Sequence, residues 1–232
     1  MTSSARNVLI VGASRGLGLE FVRQYRADGA RVVATARTDD GLAAIAALGA
    51  KPLKLDVADA ASAAGLAWQI DGEAFDTVFY VAGVYGPRTS GMEPPSVDDF
   101  DAVMHANVLG AMRVLPSVAD ALAPPAKGVP GARIGVISSR MGSIGLRTAT
   151  AGWTYRASKA AVNSVLKDAS IALAGRALCA AFHPGWVRTE MGGAGADIDA
   201  AESVAGMRQA LAELDAARNG TFLNYDGAPL PW

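Results

Sequence analysis

Short apolar runs alternate along this chain with longer stretches in which apolar residues return every three or four positions. Residues 7–11, Asn-Val-Leu-Ile-Val, form the first run; others cover residues 31–35, 52–55, 77–81, 133–137, 178–182 and 221–223. Each is apolar on both faces, as expected of strands in a parallel sheet covered on both sides. Helical spacing holds over residues 17–27 and 153–174. A further helix is predicted to begin at Ser96, where Ser96-Val97-Asp98-Asp99 resembles a capping box with Asp in place of Glu or Gln. Phe100, Val103, Met104, Asn107, Val108, Ala111, Met112 and Leu115 then follow at steps of three and four, which predicts one buried helical face. Pro116 predicts a kink or an early end there. Strand, helix and strand repeated in this way predict right-handed crossovers and a doubly wound α/β sheet with helices on both faces.

A chain of 232 residues suggests one large domain or two small ones. The segment 123–131 holds three prolines and predicts a surface loop, but it is too short and too central to mark a boundary. No internal repeat is visible, so one domain spanning residues 1–232 is the expectation. The 21 basic and 22 acidic residues leave a net charge of -1, which argues against nucleic acid or acidic membranes as partners. One cysteine, Cys179, excludes an intrachain disulfide and a four-thiol metal site. His105 and His183 are the only histidines, and no metal is expected. No apolar run approaches the ~20 residues that span a bilayer. The polar start and the brief apolar run after it do not suit a signal peptide, so a cytoplasmic location is expected.

The candidate chemistry begins with Gly12-Ala13-Ser14-Arg15-Gly16-Leu17-Gly18, which leaves the first strand and opens the first helix. Gly12 suits a tight turn, Gly16 a close backbone approach to a pyrophosphate, and Gly18 close packing of helix on sheet. The helix N-terminus adds free N–H groups for phosphate, with Ser14, Arg15 and Leu17 beside them. The second strand ends at Ala36-Arg37 and carries no carboxylate there to accept ribose hydroxyls. Arg15 and Arg37 together suit a 2′-phosphate, which predicts NADP(H) over NAD(H). Asp56, followed by Val57, is placed to accept from the adenine amino group, to cap the next helix, or both.

Tyr155 and Lys159 lie four apart on a predicted helix and share a face. An ammonium ~4 Å from a phenol, at an effective dielectric near ~20, favours tyrosinate by about 4 kcal/mol before desolvation. That corresponds to about three pKa units toward neutrality. Ser138-Ser139 falls where the fifth strand ends, at the ligand-binding edge of such a sheet, and serves there as a carbonyl-binding hydroxyl or a turn residue. Asn107 is a polar residue on a mostly apolar face and needs buried partners.

Together these segments resemble the short-chain dehydrogenase/reductase family over nearly the whole chain. The resemblance rests on residues 12–18, on Val81-Ala82-Gly83-Val84, on Asn107 and on Ser138-Ser139. It also rests on Tyr155-Arg156-Ala157-Ser158-Lys159 and on Pro184-Gly185-Trp186-Val187-Arg188-Thr189. It implies a Rossmann-type, seven-stranded, mainly parallel sheet and a tetrad of Asn107, Ser139, Tyr155 and Lys159. Ser139 is chosen because Arg140-Met141-Gly142 follows it, as in the family's Ser-x-x-Gly. The resemblance also places Ala82 and Gly83 beside the cofactor. It implies that Pro184, Gly185, Val187 and Thr189 hold the nicotinamide end, with Val187 and Thr189 as contacts of the carboxamide. The segment from His183 to Gly193 and the ending from Phe222 to Trp232 resemble sniffer-type carbonyl reductases and bacterial C-factor proteins. Two departures stand out: Val11 replaces a threonine and Val81 an asparagine. The 16-residue step from Ser139 to Tyr155 is longer than the common family spacing, and the added loop is expected to shape the mouth of the site.

The resemblance implies hydride transfer between NADP(H) and a small carbonyl or alcohol, in a homodimer or homotetramer. An NADP-binding signalling protein of C-factor type with dispensable catalysis is the alternative. A sugar-nucleotide epimerase shares Tyr-x-x-x-Lys but usually adds a substrate domain, for which the 73 residues after Lys159 leave little room. Tyr85, Met141, Leu146, Trp153, Trp186 and Met191 are candidate pocket residues suited to an apolar substrate. Residues 192–196 are a lid hinge or an ordinary surface loop.

Overall fold

Every predicted apolar run is a strand of one sheet. They are β1 (Asn7–Val11), β2 (Arg31–Ala36), β3 (Lys51–Lys54), β4 (Thr77–Tyr80), β5 (Ala132–Ile137), β6 (Ala177–His183) and β7 (Thr221–Asn224). The order is β3-β2-β1-β4-β5-β6-β7, and every paired neighbour is parallel. The computed structural model describes residues 6–125 and 131–232; residues 126–130 of the predicted proline loop lie outside the described residues.

Eight α-helices occur among the described residues. They are α1 (Gly16–Ala27), α2 (Asp39–Ala47), α3 (Ala60–Ala64), α4 (Leu66–Gln69), α5 (Val97–Met104), α6 (Gly110–Asp120), α7 (Trp153–Ala172) and α8 (Ala200–Ala212). Because successive strand side chains point to opposite faces, the sheet serves two separate cores. Val8, Ile10 and Phe79 pack with Phe21 and Val22 of α1 and Val204 and Met207 of α8. Leu9, Val11 and Val78 pack with Val114 and Val118 of α6 and Val162 and Leu166 of α7. The chain leaves β1 toward β2 and β3, then returns to β4 on the other side of β1. Crossovers to opposite faces separate at this point, and the carboxyl ends of β1 and β4 there frame a crevice.

The long helix that begins at Ser96 departs from the predicted stripe. Its start is as expected: Ser96 Oγ accepts from the Asp99 N–H at 3.1 Å and donates to the Asp99 carboxylate at 2.7 Å. A π-helical turn, His105–Leu109, then joins α5 to α6. The Gly110 N–H reaches back to the His105 carbonyl, and the Tyr80 hydroxyl donates to the Ala106 carbonyl so released, at 3.4 Å. The wider turn retards the helical phase. Ala111 and Leu115 remain buried beyond it as expected and are joined by Val114 and Val118, while Met112 is 52% exposed. Phe100 also departs from the expected face, lying half exposed near Val97 in the open first turns of α5. The end predicted at Pro116 is absent, since α6 continues to Asp120. The carbonyl that Pro116 leaves without a helical donor belongs to Met112, on the side open to water.

Candidate active site

The glycine turn brings the chain to the crevice. Gly12 has φ +89°, and a Cβ there would stand 2.7 Å from the Ala82 backbone, so β1 and the segment after β4 meet with no room for a side chain. A Cβ on Gly18 would collide with the Gly12 carbonyl and lie 2.8 Å from Ala13 Cα, which accounts for glycine where α1 packs on β1. Gly16 has φ +53°, and a Cβ there would meet only Thr189 of the opposite wall, 3.5 Å from its methyl carbon. The first turn of α1 has no side-chain cap and no acidic residue, leaving its N–H groups directed toward an anion.

The crevice has a volume of about 470 Å³. Gly12, Ser14, Arg15, Gly16, Leu17 and Gly18 form one end, with Arg37, Asp56 and Val57 beside them. Ala82, Gly83, Tyr155, Lys159, Pro184 and Thr189 continue the lining. Gly185 and Val187 stand behind this surface. Gly185 has φ +83° against Ile198, and buried Val187 forms a parallel bridge with Ile198. Asp56 lines the crevice and accepts from the Ala58 N–H at 3.0 Å. Its suggested helix cap is a correction: Asp59 caps α3, accepting from the Ser62 N–H at 2.6 Å. Arg15 is ion-paired with Glu190, so a salt bridge between exposed groups spans the two walls. Such a pair is weak enough for a more highly charged ligand to displace.

The four tetrad positions converge below this cleft. Helix α7 carries Tyr155 and Lys159 on its buried face. Ser139 caps the short turn after β5, accepting from the Met141 N–H at 3.1 Å, and its hydroxyl lies on the side of the Tyr155 phenol, whose pKa it lowers. The Lys159 ammonium donates to the Ile137 carbonyl at 2.9 Å and stands 5.7 Å from the Tyr155 ring centre. Asn107 sits in the π-helical turn, 1% exposed. Its Oδ1 accepts from the Val84 N–H at 2.7 Å, and its Nδ2 donates to the Val84 carbonyl and to Ser158 Oγ, both at 2.9 Å. It thereby clamps the segment after β4 and leaves no polar atom of its side chain idle.

The expected direction of the Tyr155 shift is reversed. Burial pushes the phenol up to about 12, with the Ser139 hydroxyl opposing and Tyr85 adding to the rise. Burial also pulls Lys159 down to about 8. The ammonium is directed at a carbonyl rather than at the phenol oxygen, so dehydration of both groups outweighs their attraction. His183, pulled down to about 4 mainly by burial and also by Arg140, is neutral near pH 7.

Sequence reasoning missed three supporting groups. Ser158 relays between Asn107 and the Tyr155 carbonyl, donating to the latter at 2.8 Å. The Ile137 carbonyl anchors Lys159. The Tyr85 ring, foreseen only as a pocket wall, stacks on Tyr155 with centroids 4.5 Å apart. Ser158 had a signal, since a serine three residues after Tyr155 shares its buried face; the other two depend on segments distant in the chain.

Comparison with known proteins agrees with this geometry. The family model described as short chain dehydrogenase matches residues 6–198. The C-signal protein of Myxococcus xanthus is 35% identical over 127 residues, which are 54% of this chain and 74% of that protein. The structure of the carbonyl reductase Sniffer of D. melanogaster superposes with a TM-score of 0.85 at 28% identity, covering 98% of this chain and 100% of that one. A carbonyl reductase from Pseudomonas aeruginosa PAO1 in complex with NADP gives a TM-score of 0.83 at 29% identity, covering 99% and 100%. With its sheet order, its glycine turn and this match, the chain belongs to the short chain dehydrogenase family.

Proposed function

We propose that this protein is an NADP(H)-dependent carbonyl reductase that transfers hydride reversibly between the nicotinamide and a small carbonyl or alcohol. The observation that carries this reading is the Tyr155 phenol, one helical turn from Lys159 and with that ammonium 5.7 Å from its ring centre, in the lining of a cleft that begins at the glycine turn. The cleft suits a dinucleotide: its far end offers a crowded, side-chain-free turn and an uncapped helix N-terminus. When bound, the nicotinamide supplies the hydride for reduction or accepts it in oxidation.

The chain's own groups do the rest. A phenol held near 12 is protonated at pH 7 and is the proton donor to the developing alkoxide. Ser139 directs its hydroxyl at the same oxygen. Lys159 orients the ribose and places positive charge beside the phenol as it loses its proton. Asn107 keeps the segment after β4 in place and so holds the cleft wall. The direct test is NADPH oxidation against a panel of aldehydes, ketones and quinones; no turnover of any member would overturn the reading.

Arg37 lies at the cofactor end of the cleft, and among the described residues it has no carboxylate within ion-pairing distance. Arg37→Ala is expected to lower the preference for NADPH over NADH by about tenfold or more, through KM for NADPH, because a guanidinium–phosphate contact contributes ~1.5–3 kcal/mol. Equal use of both cofactors by the parent protein would refute the assignment.

The pH dependence follows from Lys159. Its folded value, about 8, lies below its ordinary 10.5, so the folded protein releases this proton first as pH rises. The kcat/KM for reduction is therefore expected to fall above about pH 8, as the charge beside the phenol disappears. A profile flat to pH 10 would show that the charge is not used.

The likeness to C-signal favours one second reading, an NADP-binding signalling protein whose catalysis is dispensable. A Tyr155→Phe protein that still binds NADPH separates the two. Full rescue of a deletion phenotype supports signalling, and failure supports reduction.

A further inference from the structure

Besides the Arg15–Glu190 pair, a second link joins the two walls of the cleft, on the side of the phenol. Tyr85, in the segment after β4, stacks on Tyr155 with centroids 4.5 Å apart. The Arg88 guanidinium lies 5.0 Å from the Tyr85 ring centre on a cation–π contact. Its Nη2 then donates to the Met191 carbonyl at 3.0 Å, and Met191 lines the opposite wall. Two stacking steps thus separate a fixed positive charge from the proton donor.

That charge lacks a counter-ion. Among the described residues, Arg15, Arg23, Arg31 and Arg208 each pair with a carboxylate, whereas Arg88 has none within ion-pairing distance. Glu190, the neighbour of Met191, is engaged by Arg15. The segments that flank Tyr155, residues 84–92 and 139–156, contain Arg88, Arg140, Arg147 and Arg156 and no Asp or Glu. These two stretches are basic, the first up to Glu93, although the whole chain carries a net charge of -1.

We propose that Arg88 is a specificity residue that selects carbonyl substrates bearing an oxyanion, a carboxylate or a phosphate, on the side away from the reacting carbonyl. This rests on the carbonyl-reductase reading of the same cleft. A guanidinium binds an oxyanion through two parallel charge-assisted hydrogen bonds, each stronger than one to a neutral carbonyl. An anionic substrate can therefore replace the Met191 carbonyl as the acceptor. The same exchange releases this second link between the walls and admits the substrate. A neutral substrate offers nothing in return for breaking that link.

Three probes on one scaffold test the proposal: 4-carboxybenzaldehyde, 4-formylphenyl phosphate and the neutral methyl 4-formylbenzoate, each with NADPH. The parent protein is expected to show a kcat/KM about tenfold higher for one or both anions than for the ester, chiefly through KM. The anion with the higher ratio identifies the oxyanion. The preference should shrink in 0.5 M NaCl, as screening at an exposed site requires. Arg88→Gln should bring the ratio close to one, and Arg88→Lys should keep part of it. Anion-to-ester ratios equal in the parent and in Arg88→Gln would overturn the proposal, as would a parent preference for the ester. If none of the probes is turned over, the carbonyl-reductase reading suffers. Calorimetric binding of the probes to the NADP-loaded protein then decides this one: anion binding weakened by Arg88→Gln supports it, and equal or undetectable binding of anion and ester overturns it.

Discussion

Tyr155→Phe is expected to reduce kcat by about 10²–10⁴-fold, the range attributed to a positioned acid in proton transfer, while the Kd for NADPH changes little. The ring remains, so the stack on Tyr85 and the packing of α7 survive, and only the hydroxyl is removed. Because that phenol is held near 12, the parent protein has its donor protonated throughout the neutral range. Stopped-flow hydride transfer and fluorescence titration with NADPH measure the two quantities separately. Turnover kept within a fewfold of the parent would remove Tyr155 as the acid; a parallel loss of NADPH affinity would mean that the hydroxyl acts through cofactor binding instead.

Asn107→Leu is expected to cause the largest loss of stability. Leucine has similar bulk but offers no hydrogen bonds, so the Val84 N–H, the Val84 carbonyl and Ser158 Oγ all lose a buried partner. Val84 lines the crevice, where water can take up part of the loss, and Ser158 keeps its bond to the Tyr155 carbonyl, so the expected cost is about 2–4 kcal/mol in all. A marked fall in the urea midpoint is expected. Asn107→Asp keeps the acceptor for the Val84 N–H but loses both donors, and it should fall between the two. The wall that Asn107 holds includes Gly83, where a Cβ would come within 3.0 Å of Asn107 Oδ1 and 3.3 Å of the Lys159 ammonium nitrogen. Residual folded protein should therefore also show a reduced kcat. An urea midpoint equal to that of the parent would refute the clamp.

The sheet was legible because each strand announces itself within a few residues: a short run apolar on both faces fits a buried parallel strand and little else. The glycine turn was legible for a similar reason. Gly18 meets a steric demand from Gly12 and Ala13, close in the chain, and Gly12 turns at a positive φ, although the backbone that crowds it belongs to Ala82. The long helix shows where local reading stops. Its stripe held from Val103 through Leu115 except at Met112, and failed at Phe100; the π-helical turn in its middle was not foreseen. The hydroxyl that takes up the carbonyl this turn releases, that of Tyr80, lies 26 residues earlier in the chain.

The electrostatics of the site were beyond reach in the same way. The four-residue step from Tyr155 to Lys159 placed both groups on one face, but the sign of the Tyr155 shift depends on how much water the packed site removes. Burial raised the phenol and lowered the amine, and a spacing argument carries no measure of burial.

The sequence by itself determined the strands, the crossovers, the glycine turn and the pairing of a phenol with an amine on one helix, because each follows from periodicity or backbone sterics over a few residues. The tertiary structure alone decided what those groups meet. It set Asn107 on Val84, Lys159 on the Ile137 carbonyl, and Arg88 across to Met191, 103 residues away. Contacts of that range, and the dehydration that sets the protonation of the site, exist only once packing has excluded water and closed long loops, and no local pattern in the chain encodes them.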